Sequence, residues 1–295
     1  MSPGPERGLV PGPEIERSAR SSKPRKIIGT PLPQLTRILL GALPVVLLVV
    51  AYIWYSHQRH LENPMDRLMP NLTQLQTGLK EIVTPDKRTE TVWLYVDTKA
   101  SLVRLATGMA WGLGIALLLG VLMGIFSTVH AIFSPVVTAL AKVPPLALLP
   151  IIFIFLGVDE SSKIVLLALG IAPTLTNDVT LTARAIPRNV IVKAYTLGGT
   201  TTEVVLKVIV PQILPRIIDS VRLTIGPAWI FLIASEAISA DSGLGYRIYV
   251  VQRQLAMNII LPYVLWIAVL GMAMDYGLEA LSKWAYPWAH VPKGD

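Results

Sequence analysis

Few residues in this chain of 295 have the type and setting to do chemistry. There is no cysteine, which removes thiol catalysis, disulfides and cysteine metal sites. The four histidines, His57, His60, His130 and His290, show neither an HExxH pattern nor any paired ligand spacing, so no metal site is expected. His57 and His60 could share a helix face, but both come directly after a hydrophobic run, where interfacial histidines are expected. No GxSxG elbow is present, and no GxxxxGK[ST] phosphate loop, so the chain cannot hydrolyse ATP itself. What remains are polar groups inside apolar stretches: Asn177 and Asp178, Ser235 and Glu236, Asp275 and Glu279. An ionisable group in a membrane is expensive and faces a cavity or a partner. Asp178 has two readings. It lines a path, favouring a cationic or hydrogen-bond-donating solute, or it sits in water at the end of its span or pairs with Arg184. Glu236 is expected to be structural, bonded to backbone amides near Gly243. Asp275 and Glu279, one helical turn apart, are expected to approach the inner interface. Asp241 and Arg247 should flank the outer gate region, while Tyr246, Tyr249 and Trp229 suit interface or core as well as solute contact.

The elements that must position these groups can be read from composition. Hydrophobic residues make up 53% of the chain and charged residues 15%, well below the charged share of a soluble domain. Such a chain belongs in a bilayer, where helices satisfy every backbone polar group internally and a crossing takes about 20 apolar residues. The expectation is an all-α membrane protein with about six transmembrane helices, near 38–55, 102–126, 131–156, 162–182, 217–238 and 259–282. The net charge of +7 is topological rather than a nucleic-acid signal. Residues 1–36, rich in Pro, Gly, Ser, Arg and Lys, read as a disordered cytoplasmic tail. Residues 37–100 hold the first span and an extracytoplasmic segment, in which Leu72, Leu75, Leu79 and Ile82 have helical spacing. Residues 101–290 form the core. Six crossings put both termini in the cytoplasm.

Two features of the core stand out. Gly108, Gly112, Ala116, Gly120 and Gly124 recur every four residues, a smooth stripe that lets a second helix approach closely, within the chain or across a dimer seam. The third span carries Pro135, Pro144, Pro145 and Pro150, so it is broken. Broken helices at membrane depth are tolerated inside protein or beside a water-filled cavity, which makes Pro144 and Pro145 candidates for a pathway wall; an interfacial helix–loop–helix is the alternative. The pathway candidates are therefore Pro144, Pro145, Asn177, Asp178, Ser235, Glu236 and Tyr246.

Residues 183–216 form a polar loop with Arg184, Arg188, Lys193, Lys207 and Arg216 against Glu203, a basic excess that places it in the cytoplasm. Asn189 is a plausible N-cap, Gly198-Gly199 a break and Thr200-Thr201-Thr202 a source of capping hydroxyls for a second helix. Pro211 and Pro215 should stop or kink that second helix. Two short angled helices are expected, exposing Lys193, Tyr195, Thr196 and Thr200 to Glu203.

The run Ala194-Tyr195-Thr196-Leu197-Gly198, then Val208-Ile209-Val210-Pro211 and Leu214-Pro215, resembles the EAA loop of binding-protein-dependent ABC importer permeases. That pattern is Glu-Ala-Ala, three residues, Gly, nine residues, Ile, any residue, Leu-Pro. The spacing from Gly198 to Pro211 matches in full. Val208 and Val210 stand for the family's Ile and Leu, and Ala194 matches its second alanine. Val192 and Lys193 replace its glutamate and first alanine, which removes a specific salt bridge from the docking contact. Pro144-Pro145-Leu146-Ala147, Gly226-Pro227-Ala228-Trp229, Ala234-Ser235-Glu236 and Gly243-Leu244-Gly245-Tyr246 are similar to the nitrate, sulfonate and taurine branch, in which Glu236 has a counterpart. The segment 56–100 with Gly245-Tyr246-Arg247 resembles permeases encoded beside urea- and guanidine-carboxylating enzymes. The resemblance implies a type I ABC importer permease of the bacterial inner membrane, working by alternating access on a small polar solute. Its implied partners are a second copy of the chain, two ATP-binding subunits that hold ATP and Mg, an extracytoplasmic solute-binding protein and membrane lipid, with no nucleic acid. The implied coupling residues are Lys193, Ala194, Tyr195, Thr196, Leu197, Gly198, Thr200, Glu203 and Pro211. The alternative is an ATP-independent secondary transporter or channel.

Overall fold

The computed structural model describes residues 33–64, 66–86 and 90–290; the expected tail at 1–36 lies almost wholly outside them. The chain divides into two units, residues 1–52 and 53–295. Of the first, the described part is the apolar opening of α1 (Gln34–Glu62), a helix that continues through Pro44. The second begins with the last residues of α1 and continues with α2 (Leu72–Val83), the amphipathic helix its leucine spacing predicts. Asn71 caps α2: its side chain accepts the Gln74 N–H at 2.8 Å, and the Gln74 side chain accepts the Asn71 N–H in return.

The core is built on α3 (Trp93–Ile125) and α6 (Glu160–Arg184). They run side by side in the same direction, Gly108 over Leu167, Gly112 over Ile171, Gly120 over Val179 and Gly124 over Ala183. The five-residue stripe thus packs inside the protomer, with Ala116 fully buried among the core residues. Its spacing sets the interval: a Cβ on Gly112 would stand 2.5 Å from Ile171 Cγ1. The Thr180 hydroxyl also donates across the seam to the Gly120 carbonyl at 3.2 Å.

Because α3 and α6 are parallel, the chain between them must return from one end of the bundle to the other. That return is made by α4 (Ser127–Leu140) and α5 (Leu149–Leu156), joined through a short 3-10 turn at Pro145–Leu148 and bent by 89°. The prolines give the cause: Pro144 is extended, which ends the α-helical path. Five described helices are long and apolar enough to cross a membrane, and the bent pair makes a sixth.

After α6 come α7 (Arg188–Thr196), the single turn α8 (Thr201–Glu203), and the long α9 (Val210–Ser239). A π-helical turn, Val204–Ile209, joins α8 to α9, so the expected second short helix is instead the first part of one long helix. Pro211 and Pro215 do not stop it. Pro211 follows directly on the π turn, whose widened hydrogen-bond pattern makes room for its ring inside the continuing helix. The N-cap of α7 is Pro187 rather than Asn189, which lies inside the helix. The chain ends its described course with α10 (Leu244–Gln252), α11 (Met257–Ala285) and a last 3-10 turn. In the second unit α9 runs antiparallel to both α6 and α11, as the pairs Asp178–Ser220 and Gly170–Phe231, then Arg222–Asp275 and Trp229–Gly271, require.

The core therefore has two ends. The starts of α3, α6 and α11, the end of α9 and all of α10 share one; the α6–α9 connection and the ends of α3 and α11 share the other.

Candidate functional site

At the end that carries the α6–α9 connection, α7 lies with Ile191 and Ala194 against the core and Val192, Lys193, Tyr195 and Thr196 outward. Leu197, the next residue, is 89% exposed. The turn after it is built to be tight. Gly198 has φ of 85°, a left-handed conformation that favours glycine. The N–H of Gly199 returns to the Ala194 carbonyl at 3.1 Å and closes the helix end. Thr200 then caps the next segment, its hydroxyl accepting the Glu203 N–H at 3.4 Å while Glu203 accepts the Thr200 N–H at 3.1 Å. Glu203 also pairs with Lys207 at 2.9 Å on the surface. Nothing here encloses a reacting atom. The arrangement can present a short, rigid, mostly exposed helix and one large unburied leucine to another surface.

The opposite end is closed. Asp97, at 0% exposure, accepts three hydrogen bonds: from Gly243 N–H at 3.0 Å, Arg247 Nε at 2.9 Å and the Tyr263 hydroxyl at 2.9 Å. Glu236, also at 0% exposure, accepts from Ser101 Oγ at 2.8 Å, Arg104 Nη1 at 2.8 Å and Gly245 N–H at 2.9 Å. The Ser101 hydroxyl in turn accepts the Leu244 N–H at 2.8 Å. Arg104 forks onward to Glu160 at 2.6 and 2.8 Å, and buried Lys163 meets the same carboxylate at 2.9 Å. A buried charge is tolerated when paired and fully hydrogen-bonded, and both carboxylates meet that condition. Gly243, with φ of 128°, has a steric reason to be glycine: a Cβ there would stand 2.5 Å from the Glu236 carboxylate and 2.7 Å from Arg104. The network ties α3, α6, α9, α10 and α11 into one body.

The structure does not gather the seven pathway candidates into one cavity. Ser235 and Glu236 are sealed inside the network end, Glu236 held by a backbone amide near Gly243 as its structural reading expects. Tyr246 is half-buried, its ring 5.9 Å from the Arg247 guanidinium. Arg247 itself stacks on Trp93 at 4.4 Å. Asn177 and Asp178 are half-buried on α6, and Asp178 accepts from the Ser220 hydroxyl rather than pairing with Arg184. Pro145 lines a cavity of about 170 Å³ with Gly170, Thr174, Thr224 and Phe231, while Pro144 stays exposed. Asp275 and Glu279 both hold Arg222, at 2.8 and 2.9 Å. His60 contacts the Ser56 carbonyl and the Gln74 side chain.

Asp97 and Ser101 escape a search for charges inside spans because they precede the apolar stretch of their helix, while Arg104 and Lys163 fall in the first turn of the expected spans at 102–126 and 162–182, where a positive residue reads as an interfacial group. A signal is present all the same. Counting back from Gly108 by helical intervals gives Arg104, Ser101 and Asp97, the polar extension of the small-residue face.

The bundle of apolar helices, with an exposed helix in one connection, is an all-α membrane fold. The chain belongs to the family of binding-protein-dependent transport system inner membrane components, whose model matches residues 112–285. Its relatives place it in the nitrate, sulfonate and taurine group of ABC importer permeases. The taurine transport system permease protein TauC of Escherichia coli K12 is 30% identical over 259 residues, covering 88% of this chain and 92% of the relative. The bicarbonate transport system permease protein CmpB of Synechococcus elongatus is 28% identical over 193 residues, covering 65% of this chain and 69% of that one. Among solved structures, the MetNI methionine ABC transporter in inward-facing conformations has the same fold, with a TM-score of 0.56 at 20% identity, over 63% of this chain and 92% of that one.

Proposed function

We propose that this protein is the homodimeric membrane subunit of an ATP-driven importer for a small polar solute, working by alternating access. The observation that carries the reading is the exposed α7 with Leu197, presented by a glycine-hinged, capped connection between two long core helices. Such a helix is a lever. When two ATP-binding subunits close on ATP and Mg, they would grip α7 of each copy, and α6 and α9 on either side of the lever would carry the motion into the bundle as rigid bodies. The coupling surface is Lys193, Tyr195, Thr196, Leu197, Thr200 and Glu203, with Ala194 packing α7 onto the core, Gly198 turning the chain and Pro211 inside the long helix behind it. In this reading α7 and both termini are cytoplasmic, and a solute-binding protein delivers from the network end. The names of the relatives point to taurine and bicarbonate as the kind of solute; the likeness at 56–100 adds urea and guanidinium to the panel.

The test is deletion of residues 193–203 in the complex co-expressed with its ATP-binding subunits. Loss of the ATP-binding subunits from the purified complex, with the permease still inserted, is the expected result. Solute uptake by the purified permease without any ATPase would overturn it.

A further inference from the structure

A cavity of about 260 Å³ lies between the α1–α2 connection and the start of α11, lined by Arg67, Pro70, Gln74, Gln254 and Asn258 among others. Its donors are uncommitted. The Arg67 guanidinium and the side-chain amides of Gln254 and Asn258 have no partner among the described residues. Arg59, close by on α1, is already engaged by the buried Asp66, so Arg67 brings a positive charge that no ion pair offsets. The wall is firm: α2 presses on α11 so closely that a Cβ on Gly78 would run into the Asn258 carbonyl.

The depth of the cavity follows from the fold around it. Trp54 and Tyr55 close the apolar run of α1 and stay exposed, and aromatic rings at the end of a span mark the headgroup layer. The helix continues to Glu62, but the connection then folds back along it. The Ser56 hydroxyl donates to the Met69 carbonyl at 3.0 Å and to the Pro70 carbonyl at 3.3 Å. Pro70, which lines the cavity, therefore stands level with the aromatic pair. Helix α2, which starts there, has three sides. Gly78 and Ile82 are buried against the protein, Thr73, Thr77, Lys80 and Glu81 form an exposed polar side, and Leu72, Leu79 and Val83 make an exposed apolar edge between them. A helix with those three sides belongs where protein, water and lipid meet.

We infer that this cavity holds the phosphate of a membrane phospholipid. Arg67 grips the phosphodiester oxygens, since a guanidinium offers a planar fork of donors that fits them. The Gln254 and Asn258 amides donate to the same headgroup, and the acyl chains run past Leu72, Leu79 and Val83. An acidic side chain of a soluble partner would satisfy Arg67 but leave the leucine edge in water. A free phosphate ion shares the headgroup's chemistry, and the probes below separate the two. The site lies away from the coupling loop and does not rest on the importer reading.

The test uses the full chain with its ATP-binding subunits, purified in detergent and freed of lipid, without ATP or solute. The chain has no native cysteine, so a bimane fluorophore on Gln76→Cys, an exposed position of α2, is a single reporter. Short-chain phosphatidylglycerol should give a saturable change in emission. Dioctanoylglycerol, which has the chains without the phosphate, and inorganic phosphate, which has no chains, should not. In Arg67→Ala the affinity for phosphatidylglycerol should fall about tenfold, which corresponds to about 1.4 kcal/mol. The lipid-free melting temperature should stay that of the parent, because Arg67 makes no internal contact to lose. Gln254→Leu should weaken the same binding several-fold and decides the matter if Arg67→Ala fails to fold. Unchanged lipid affinity in these variants would overturn the inference, and so would equal binding of dioctanoylglycerol. Saturation by inorganic phosphate alone would give the cavity to a free anion. Indifference to every lipid, with weaker binding of the cognate solute-binding protein to Arg67→Ala, would give it to that protein, and either result sinks the phospholipid site.

Discussion

The two ends of this bundle solve opposite problems with the same kinds of residue. At one, Asp97 and Glu236 are fully buried and every carboxylate oxygen is met by a hydroxyl, a guanidinium or a backbone N–H. At the other, Glu203 and Lys207 pair in the open, and Leu197 stands almost free. A buried, saturated network gives directionality and a single geometry, and it resists local opening. An exposed i,i+4 pair is worth a few tenths of a kcal/mol and leaves its helix free to meet another surface. The network end holds five helices as one body, and in the proposed reading the loop end is where that body is pushed.

The largest expected effect breaks the network. Arg104→Ala would leave Glu236 buried with a hydroxyl and one amide but no cation, a loss of about 3–5 kcal/mol. A thermal melt of the purified protein in detergent should show a strongly lowered Tm or no folded protein at all. The matched change at the loop end, Leu197→Asp, removes no packing and should shift stability by no more than about 0.5 kcal/mol. If the two variants melted alike, the assignment of a rigid end and a free end would be wrong.

The next effect lies between the ends. Gly120 sits midway along the seam of α3 on α6, and a Cβ there would stand 2.7 Å from Val179 Cβ and 2.9 Å from the Thr176 carbonyl. Gly120→Val must therefore push two helices apart, at a cost of about 1–3 kcal/mol. Gly114, on the same helix with nothing within 4 Å of its would-be Cβ, is the control. Gly114→Ala should be neutral or slightly stabilising through the helix propensity gained. Both are read by the same melt, and equal effects would mean that the stripe does not set the helix spacing.

The stripe also marks how far the sequence alone can be read. Its period of four identified a close helix seam because small residues at that spacing have one geometric use, and the structure supplies the partner in Leu167, Ile171, Val179 and Ala183. The broken third span was legible from its prolines, although not its 89° bend, since proline says where a helix loses its donors and not which way the chain turns. The α7 helix and its Gly198 hinge were legible from the loop pattern. Pro211 misled, because a π turn lets the helix run on through the proline, and no local signal announces a π turn. Asp178 and Asp97 show the deeper limit. One was prominent inside a span and has a serine for a partner; the other precedes the apolar stretch of its helix and anchors a buried network. Which acid is buried is decided by helices more than a hundred residues away, at Gly243, Arg247 and Tyr263.

The smallest effect sharpens the comparison outside the spans. Asp66, between α1 and α2, accepts the Leu68 N–H at 2.9 Å and pairs with Arg59. Those two contacts, the backbone N–H first, hold its carboxyl below the ordinary 3.8. A carboxylate with a depressed native pKa adds stability that is fully present above the unfolded value and is lost as pH falls through the native one. The Tm of the protein should thus show no contribution from Asp66 to any slope between pH 7 and 5. Below about pH 4, the usual aspartate range, it should fall faster than that of Asp66→Asn, which has no proton to take up. Other carboxylates titrate in the same window, so the difference between the two melting profiles is the measurement. If the profiles stayed parallel down to pH 3, the Arg59–Asp66 contact would add nothing to stability, although Asp66 is buried, and saturation of a carboxylate by its neighbours would matter only within the network end.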